Sequence, residues 1–370
     1  MAGSRRTFIK AGILGAAAAA GGLPQLARAD KHGKDTKPLD ILILGGTGFL
    51  GPHMVREALR RGHNVMLFNR GRSDIQMFPD LETIIGDRDN GLDGLKGRRW
   101  DAVIDNSGYV PRHVQDSARL LSSTNHYVYT STESVYADFN IHNVESSPLG
   151  TLADETVEEV TGETYGPLKA LCEKRVANEI SSEKLTIIRP TYVCGPRDHT
   201  DRFSYWPIRT RKGGEMIWPG SPDDVIQIID VNDLANFTLH CIDKHITGIY
   251  NAVNPAGSYT MGDLLQDSQA ITGVDVEAHW ISEEFAYEND LVGRTLPIWN
   301  PTSGESGGSG TFSGEAARAV GLHNRPERET ARNVLAWWDT QSEERQANMK
   351  AGLSAEREAE LLAAWKARNS

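Results

Sequence analysis

The chain has 370 residues and carries 39 Lys or Arg against 50 Asp or Glu, a formal net charge of −11. This length allows one large or two small domains with a buried core, and the acidity argues against nucleic-acid or anionic-membrane partners. The three cysteines, Cys172, Cys194 and Cys241, form no pattern typical of metal binding, so we predict no metal site.

Residues 1–29 are typical of an export signal. The sequence SRRTFIK at residues 4–10 is a twin-arginine pattern, an apolar run follows at residues 11–23, and residues 27–29 fit a cleavage site. The apolar run is short and rich in Gly and Ala for a membrane span, although an uncleaved anchor is the alternative. We predict a mature chain that begins near Asp30.

This signal predicts a periplasmic or otherwise exported protein that uses the twin-arginine machinery. Residues 30–38 would then be a polar linker. The twin-arginine pathway exports folded proteins, often with a cofactor bound. Because no free nicotinamide pool exists outside the cytoplasm, a cofactor there would have to be held tightly and restored in each catalytic cycle.

The stretch LDILILGGTGFLG, residues 39–51, predicts a strand, a glycine turn and a helix start. Gly45 would reverse the chain, Gly48 would let the backbone approach phosphates, and Gly51 would let helix pack on strand. Free N–H groups at the helix start would favour the anion. The spacing alone is weak evidence, but its flanks favour dinucleotide binding over an ordinary turn. The residues predicted to bind the cofactor here are Gly45, Thr47, Gly48, Phe49, Leu50 and Gly51.

Strands and helices then alternate along the chain. The predicted strands after the turn are residues 64–68, 81–85, 102–105 and 126–130, with helices at 54–61 and 111–121. This alternation predicts an α/β fold with a doubly wound parallel Rossmann sheet and a smaller C-terminal α/β substrate-binding region. The predicted regions are a Rossmann domain at 39–190, completed by parts of 220–252, a substrate-binding region at 191–340 and a C-terminal helix at 341–370.

Asn69, Arg70 and Arg72 follow the second predicted strand. An acid at this point usually holds the ribose 2′-hydroxyl of NAD, whereas a 2′-phosphate requires arginine. The pattern therefore favours NADP over NAD, with two solvated loop arginines as the alternative.

Tyr165 and Lys169 are spaced to lie on one face of a helix, one turn apart. A nearby ammonium stabilises a phenolate, so this pair predicts a general acid–base whose pKa is lowered by the lysine. The spacing alone is common by chance, but it follows a strand-end TST sequence in a chain with a dinucleotide-binding turn.

Together these motifs resemble those of the extended short-chain dehydrogenase/reductase superfamily, in its NAD-dependent epimerase/dehydratase branch. The matching pieces are GGTGFLG, TSTESVY, YGPLK, RPTYVCGPRD and IIDVNDLA, which cover most of residues 39–252. The resemblance implies hydride-transfer chemistry on a hydroxyl or ketone. Some similar proteins pair through two helices, so a homodimer is compatible with it.

The resemblance also implies roles for individual residues. Tyr165 would be the catalytic acid–base, Lys169 would hold the nicotinamide ribose, and Thr132, or else Ser131, would bind the reacting oxygen. The implied cofactor contacts are Asp87 and Arg88 at the adenine, Asn106 and Ser107 at the ribose and phosphates, and Pro190, Thr191 and Tyr192 at the nicotinamide.

The chain departs from this family at two points. NRGR replaces the acid common in nucleotide-sugar epimerases, and Glu133-Ser134 replaces the Asp-Glu pair of sugar dehydratases. Glu133 could still serve the substrate, so the dehydratase reaction is less favoured than epimerisation or oxidoreduction.

The region after Cys194 is polar and aromatic, which suits a sugar-like ring, with ordinary packing as the alternative. The residues predicted to contact the substrate are Glu133, Arg202, Tyr205 and Trp206. Residues 301–313 form a Gly- and Ser-rich loop, either a lid or a linker. The predicted function is an exported epimerase or oxidoreductase for a carbohydrate-like substrate; the alternative is a non-catalytic nucleotide-binding or RNA-binding relative.

Overall fold

Seven parallel strands form the central sheet of the protein, whose computed structural model describes residues 37–72, 75–304, 307 and 310–370. The predicted export signal lies outside these described residues. The strands in chain order are β1 (Asp40–Leu44), β2 (Asn64–Asn69), β3 (Thr83–Ile85), β4 (Ala102–Asp105), β5 (His126–Thr130), β6 (Leu185–Pro190), β7 (Tyr192–Cys194), β8 (Gly214–Pro219), β9 (Ile228–Asp230), β10 (Gly248–Ala252) and β11 (Val276–Ile281).

Helices cover both faces of this sheet. The helices of the described residues, including those of the C-terminal region, are in chain order α1 (Gly51–Arg60), α2 (Pro111–Leu120), α3 (Tyr165–Glu179), α4 (Tyr205–Thr210), α5 (Val231–Lys244), α6 (Met261–Thr272), α7 (Glu283–Glu288), α8 (Glu315–Ala319), α9 (Glu327–Trp338), α10 (Glu343–Ala347) and α11 (Ala355–Arg368). Helices α1 and α5 pack together on one face, and α2 and α3 pack together on the other. Within the described residues, no helix combines the length and the apolar character that a bilayer span requires.

The order of strands across the sheet is β10-β6-β5-β4-β1-β2-β3. Residues 41–44 of β1 are fully buried because helices cover both faces of the sheet, which explains their unbroken apolar run. The chain runs outward in opposite directions from β1 and β4, so the loops that follow these two strands separate and leave a crevice between them. The predicted α/β fold class is confirmed.

The chain after β6 forms a smaller α/β region. Strand β8 pairs in parallel with β11, and β7 pairs in parallel with β9. Their core is rich in tryptophan, with Trp206, Trp218 and Trp299 almost fully buried. Strand β10 returns to the main sheet and pairs in parallel with β6 at its outer edge.

Candidate active site

The turn between β1 and α1 depends on glycine. Gly45 has a φ of +91°, a left-handed conformation that favours glycine, and its N–H donates to the carbonyl of Phe68 at 3.0 Å. A Cβ on Gly51 would lie 2.2 Å from the Gly45 carbonyl oxygen, whereas a Cβ on Gly48 would meet no atom within 4 Å. No side chain caps the start of α1. The turn therefore offers an open backbone surface and an uncapped helix start, which suit a phosphate.

Loops from the carboxyl ends of the strands converge beyond this turn, as expected for a doubly wound sheet. They enclose a cleft of about 1340 Å³. The predicted site residues that line it are Gly45, Thr47, Gly48, Phe49, Leu50, Gly51, Asn69, Arg70, Arg72, Asp87, Arg88, Asn106, Ser107, Ser131, Thr132, Glu133, Tyr165, Lys169, Pro190, Thr191 and Arg202. Two predicted residues, Tyr205 and Trp206, do not line it.

Several polar atoms on the cleft wall fit a nucleotide. The side-chain nitrogens of Asn69 and Asn106 and the hydroxyl of Ser131 are buried without a hydrogen-bond partner among the described residues. The amide oxygens of the two asparagines are held by hydrogen bonds. Asn69 Oδ1 accepts from the Gly46 N–H at 3.0 Å, and Asn106 Oδ1 accepts from Thr130 Oγ1 at 2.9 Å. Buried polar atoms normally have partners, so these atoms are suited to a polar ligand.

Arg70 and Arg72 are exposed at the end of β2, on the lining of the cleft. Neither has a carboxylate partner within 4.0 Å among the described residues. Their position is compatible with a ribose 2′-phosphate, and β2 ends in the uncharged Asn69.

Arg88, which was expected to border the adenine, lines the cleft. Its guanidinium is buried against Asp105, with Nη2 donating to Oδ2 at 2.8 Å. The same carboxylate accepts from Tyr127 at 2.9 Å. Because both terminal nitrogens of the guanidinium bond to this carboxylate, Arg88 supports the end of β4 at the base of the cleft.

The ammonium of Lys169 is buried and points into the protein. It donates to the carbonyls of Gly108 and Thr130 at 2.8 and 2.7 Å and to the hydroxyl of Tyr129 at 2.7 Å. Burial lowers the pKa of Lys169 to about 8. These three bonds account for the three protons of the ammonium, so Lys169 ties α3 to the ends of β4 and β5.

Tyr165, the first residue of α3, lies beside Thr132 at the end of β5. Burial raises the pKa of Tyr165 to about 12, while the interaction with the Thr132 hydroxyl and the charge of Arg202 lower it in part. The prediction that Lys169 lowers the pKa of Tyr165 is therefore wrong. The Lys169 ammonium bonds to Gly108, Thr130 and Tyr129 instead. Thr132, rather than Ser131, is the hydroxyl that the fold brings to Tyr165.

Glu133 follows Thr132 on a short 3-10 turn and lines the cleft. Burial raises the pKa of Glu133 to about 8, although the Thr191 hydroxyl and the charge of Arg202 oppose this shift. A carboxyl group in this state can donate or accept a proton near neutral pH.

Tyr205 and Trp206 correct a second prediction. They are 2% and 0% exposed, within the core of the C-terminal region, and the indole N–H of Trp206 donates to the Pro297 carbonyl at 2.9 Å. Their aromatic character therefore reflects packing and not contact with a substrate.

Sequence reasoning missed Tyr109 as a site residue. Its ring centroid lies 6.3 Å from that of Tyr165 and 5.4 Å from the Lys169 ammonium, and its side chain is 47% exposed on the cleft wall. Tyr109 follows Gly108 in the loop after β4, and an aromatic residue at a strand end is the signal that could have identified it. The other residues missed here are Asp198 and Asn300, whereas Tyr192, which was expected at the nicotinamide, also lines the cleft.

The sequence profile of the NAD dependent epimerase/dehydratase family matches residues 41–253. The chain belongs to this family. It is 28% identical over 229 residues to the chloroplast stem-loop binding protein of 41 kDa b of Arabidopsis thaliana, a match that covers 57% of each chain. It is 29% identical over 187 residues to the 2-alkyl-3-oxoalkanoate reductase of Stenotrophomonas maltophilia, covering 43% of this chain and 52% of the relative. The matches thus span about half the length of these two relatives.

Solved structures share the fold of this family member. The Bordetella bronchiseptica enzyme WbmG in complex with NAD and UDP superposes with a TM-score of 0.61 at 16% identity, covering 82% of this chain and 94% of that one. The Thermotoga maritima UDP-glucose 4-epimerase with UDP-glucose superposes with a TM-score of 0.58 at 15% identity, covering 81% and 98%. At these identities the likeness shows the fold alone.

Proposed function

We propose that the protein is an NADP(H)-dependent epimerase or oxidoreductase that acts on a hydroxyl or keto group of a carbohydrate-like substrate. The observation that carries this proposal is the meeting of Tyr165 and Thr132 at the cleft that the glycine turn borders. An acid–base hydroxyl, a second hydroxyl and a nucleotide-binding turn in one cleft are the groups that reversible alcohol oxidation requires.

In this proposal Tyr165 takes the proton of the reacting hydroxyl and Thr132 binds the same oxygen. A nicotinamide would supply the hydride acceptor and donor. Lys169 and Tyr109 border the tyrosine on the same wall, so they orient the reacting end of the cleft. A redox-neutral cycle would be completed when the hydride returns to the keto carbon and Tyr165 returns the proton to the keto oxygen. Inversion at that carbon requires that the keto form rotate in the cleft, so that the hydride reaches its other face.

We further propose NADP(H) rather than NAD(H), because Arg70 and Arg72 border the cleft and form no ion pair with any carboxylate that the structure describes. WbmG and the Thermus thermophilus UDP-glucose 4-epimerase are both solved with NAD, so the preference would be a property of this chain. The Asn69 amide and the guanidinium groups of Arg70 and Arg72 would hold the 2′-phosphate.

Export through the twin-arginine pathway is the third part of the proposal. It is supported by the SRRTFIK sequence at residues 4–10. Replacing Arg5 and Arg6 by lysine should retain the unprocessed protein in the cytoplasmic fraction, whereas the wild type should appear outside it with an N-terminus near Asp30. Equal export of both proteins would overturn this part.

The catalytic proposal is tested by purifying the protein natively and identifying its bound nucleotide. Sugars, sugar acids and nucleotide sugars are then screened for a change in nicotinamide absorbance or for an epimerised product. Tyr165→Phe should lower turnover by at least about 100-fold while the nucleotide stays bound. The control is Tyr287→Phe, since Tyr287 is 55% exposed on α7 and outside the cleft. Unchanged turnover in Tyr165→Phe would refute the acid–base role.

A second candidate is a binding protein without catalysis. The similarity to the chloroplast stem-loop binding protein favours it. The net charge of −11 and the presence of Tyr165, Thr132 and Lys169 in one cleft argue for the enzyme. Binding of a stem-loop RNA with retained nucleotide and no turnover would support the second candidate.

A further inference from the structure

Arg202 stands at the substrate end of the cleft, in the loop between β7 and α4. Its Nε donates to Thr200 Oγ1 at 3.0 Å, and its guanidinium carbon lies 4.9 Å above the ring of Tyr192. These two contacts fix the plane of the guanidinium, and the Thr200 bond involves only Nε. The two terminal nitrogens remain for a ligand.

The positive charge of Arg202 has no ion-pair partner within 4.0 Å among the described residues. Arg197 and Arg318 are also half-buried without an ion pair among the described residues, but several other buried or half-buried arginines do have one. Arg189 donates to Glu173 at 2.6 and 2.9 Å, and Arg209 donates to Glu358 at 2.5 Å. A partly desolvated guanidinium without a carboxylate is costly unless a ligand supplies the negative charge.

Two acids line the same end of the cleft without neutralising Arg202. One oxygen of Glu133 and one of Asp198 are buried and have no hydrogen-bond partner among the described residues. Burial raises the pKa of both carboxyl groups, to about 8 for Glu133. At neutral pH Glu133 is therefore mostly protonated, and it can donate a hydrogen bond to an anion beside Arg202.

We propose that Arg202 binds a carboxylate of the substrate, so that the substrate is a hydroxy or keto acid of the sugar-acid class and not a neutral sugar. A carboxylate matches the planar fork of a guanidinium. A phosphate offers the same fork of oxygens to a guanidinium, so the test below also includes a sugar phosphate. This inference rests on the proposed function and names the substrate class of that site.

Direct binding tests the inference independently of turnover. Calorimetric titration of the nucleotide-loaded protein compares galacturonate with galactose, and gluconate with glucose, in the wild type, Arg202→Gln and Arg202→Lys. The wild type should bind each acid tighter than its neutral partner by about 100-fold, since the charged hydrogen bonds are made in a partly buried site. Arg202→Gln should remove that preference, and Arg202→Lys should restore part of it.

Arg99→Gln is the matched control, because Arg99 is exposed and outside the cleft, and it should keep the preference. Three results would each overturn the inference. The wild type could bind acid and neutral partners with equal affinity, Arg202→Gln could lose equal affinity for both, or the wild type could bind galactose 1-phosphate more tightly than galacturonate. The proposed function fails separately, when Tyr165→Phe leaves turnover unchanged. If the protein turns over only neutral sugars, the inference that the substrate carries a carboxylate is refuted, whereas the proposed enzymatic function stands.

Discussion

The side-chain oxygen of Asn69 accepts a hydrogen bond from the backbone N–H of Gly46 at 3.0 Å, so the residue that ends β2 also holds the turn that ends β1. The amide nitrogen of Asn69 is buried on the cleft wall with no partner among the described residues. The Asn69 side chain therefore holds the glycine turn through its oxygen, and its nitrogen is placed to contact a nucleotide in the cleft.

Asn69→Asp should shift the nucleotide preference from NADP towards NAD. The aspartate keeps an oxygen for the Gly46 N–H but adds a negative charge where a 2′-phosphate would lie. We expect the ratio of NADP to NAD affinity to fall by about tenfold, or about 1.4 kcal/mol. Fluorescence titration of nucleotide-free protein with each nucleotide measures the ratio.

The paired variant Arg70→Gln/Arg72→Gln should weaken NADP binding by about tenfold and leave NAD binding unchanged, because only the 2′-phosphate needs the two charges. Arg99→Gln is the control for charge removal outside the cleft. Equal losses of affinity for NADP and NAD would show that these arginines do not recognise the 2′-phosphate.

Glu133 should make stability depend on pH. Its pKa is raised from 4.5 to about 8 in the folded protein, so the folded state keeps the proton to a higher pH than the unfolded chain. Its contribution is fully present below pH 4.5 and is lost as pH rises to about 8, with a slope of at most about 1.4 kcal/mol per pH unit. Glu133→Gln should therefore gain stability relative to the wild type across this window.

Denaturant unfolding of both proteins at several pH values measures this difference. The exposed Glu159→Gln serves as the comparison and should follow the wild type at every pH. A constant offset between Glu133→Gln and the wild type from acidic to alkaline pH would mean that the Glu133 carboxyl ionises normally.

Tyr129→Phe should destabilise the protein through Lys169. The change removes the hydroxyl that accepts from the ammonium at 2.7 Å and leaves one buried N–H without a partner. We expect a loss of about 1–3 kcal/mol at neutral pH. The loss should shrink above pH 8, where Lys169 becomes neutral and needs fewer acceptors.

Thermal and denaturant unfolding at pH values on either side of 8 check this prediction, with Tyr287→Phe as the exposed control. A loss that stays the same across this range would indicate that packing of the ring, and not the ammonium, is affected.

The buried pair of Arg189 and Glu173 joins β6 to α3, and both residues are under 5% exposed. Glu173→Ala leaves a buried guanidinium unpaired and should cost about 3–5 kcal/mol of unfolding free energy. The midpoint of denaturant unfolding measures this loss of unfolding free energy. Glu82→Ala, which breaks the exposed pair with Arg98, should leave the midpoint almost unchanged.

Much of the fold could be predicted because its signals are local. The four-residue apolar run of β1, the glycine turn and the helix that follows each depend on neighbours in the sequence. For the same reason the predicted bounds of β4 and β5 agree with the structure, Ala102–Asp105 and His126–Thr130, and the start of α3 at Tyr165 agrees as well.

The ion pairs and hydrogen bonds of the site could not be predicted in this way. Arg88 is 17 residues from Asp105, and Lys169 is about forty residues from Tyr129 and Thr130. Sequence spacing placed Lys169 near Tyr165 on one helix face, but the buried acceptors of β4 and β5 bind its ammonium instead.

What the sequence by itself determined is the order of the elements and the identity of the groups at the strand ends, since both follow from periodicity and turn chemistry. Only the tertiary structure decided which of these groups face the cleft. Tyr205 and Trp206 are packed in the C-terminal core, whereas Arg202, three residues earlier, lines the cleft unpaired. That division depends on burial and on long-range charge pairing, which are properties of the folded chain.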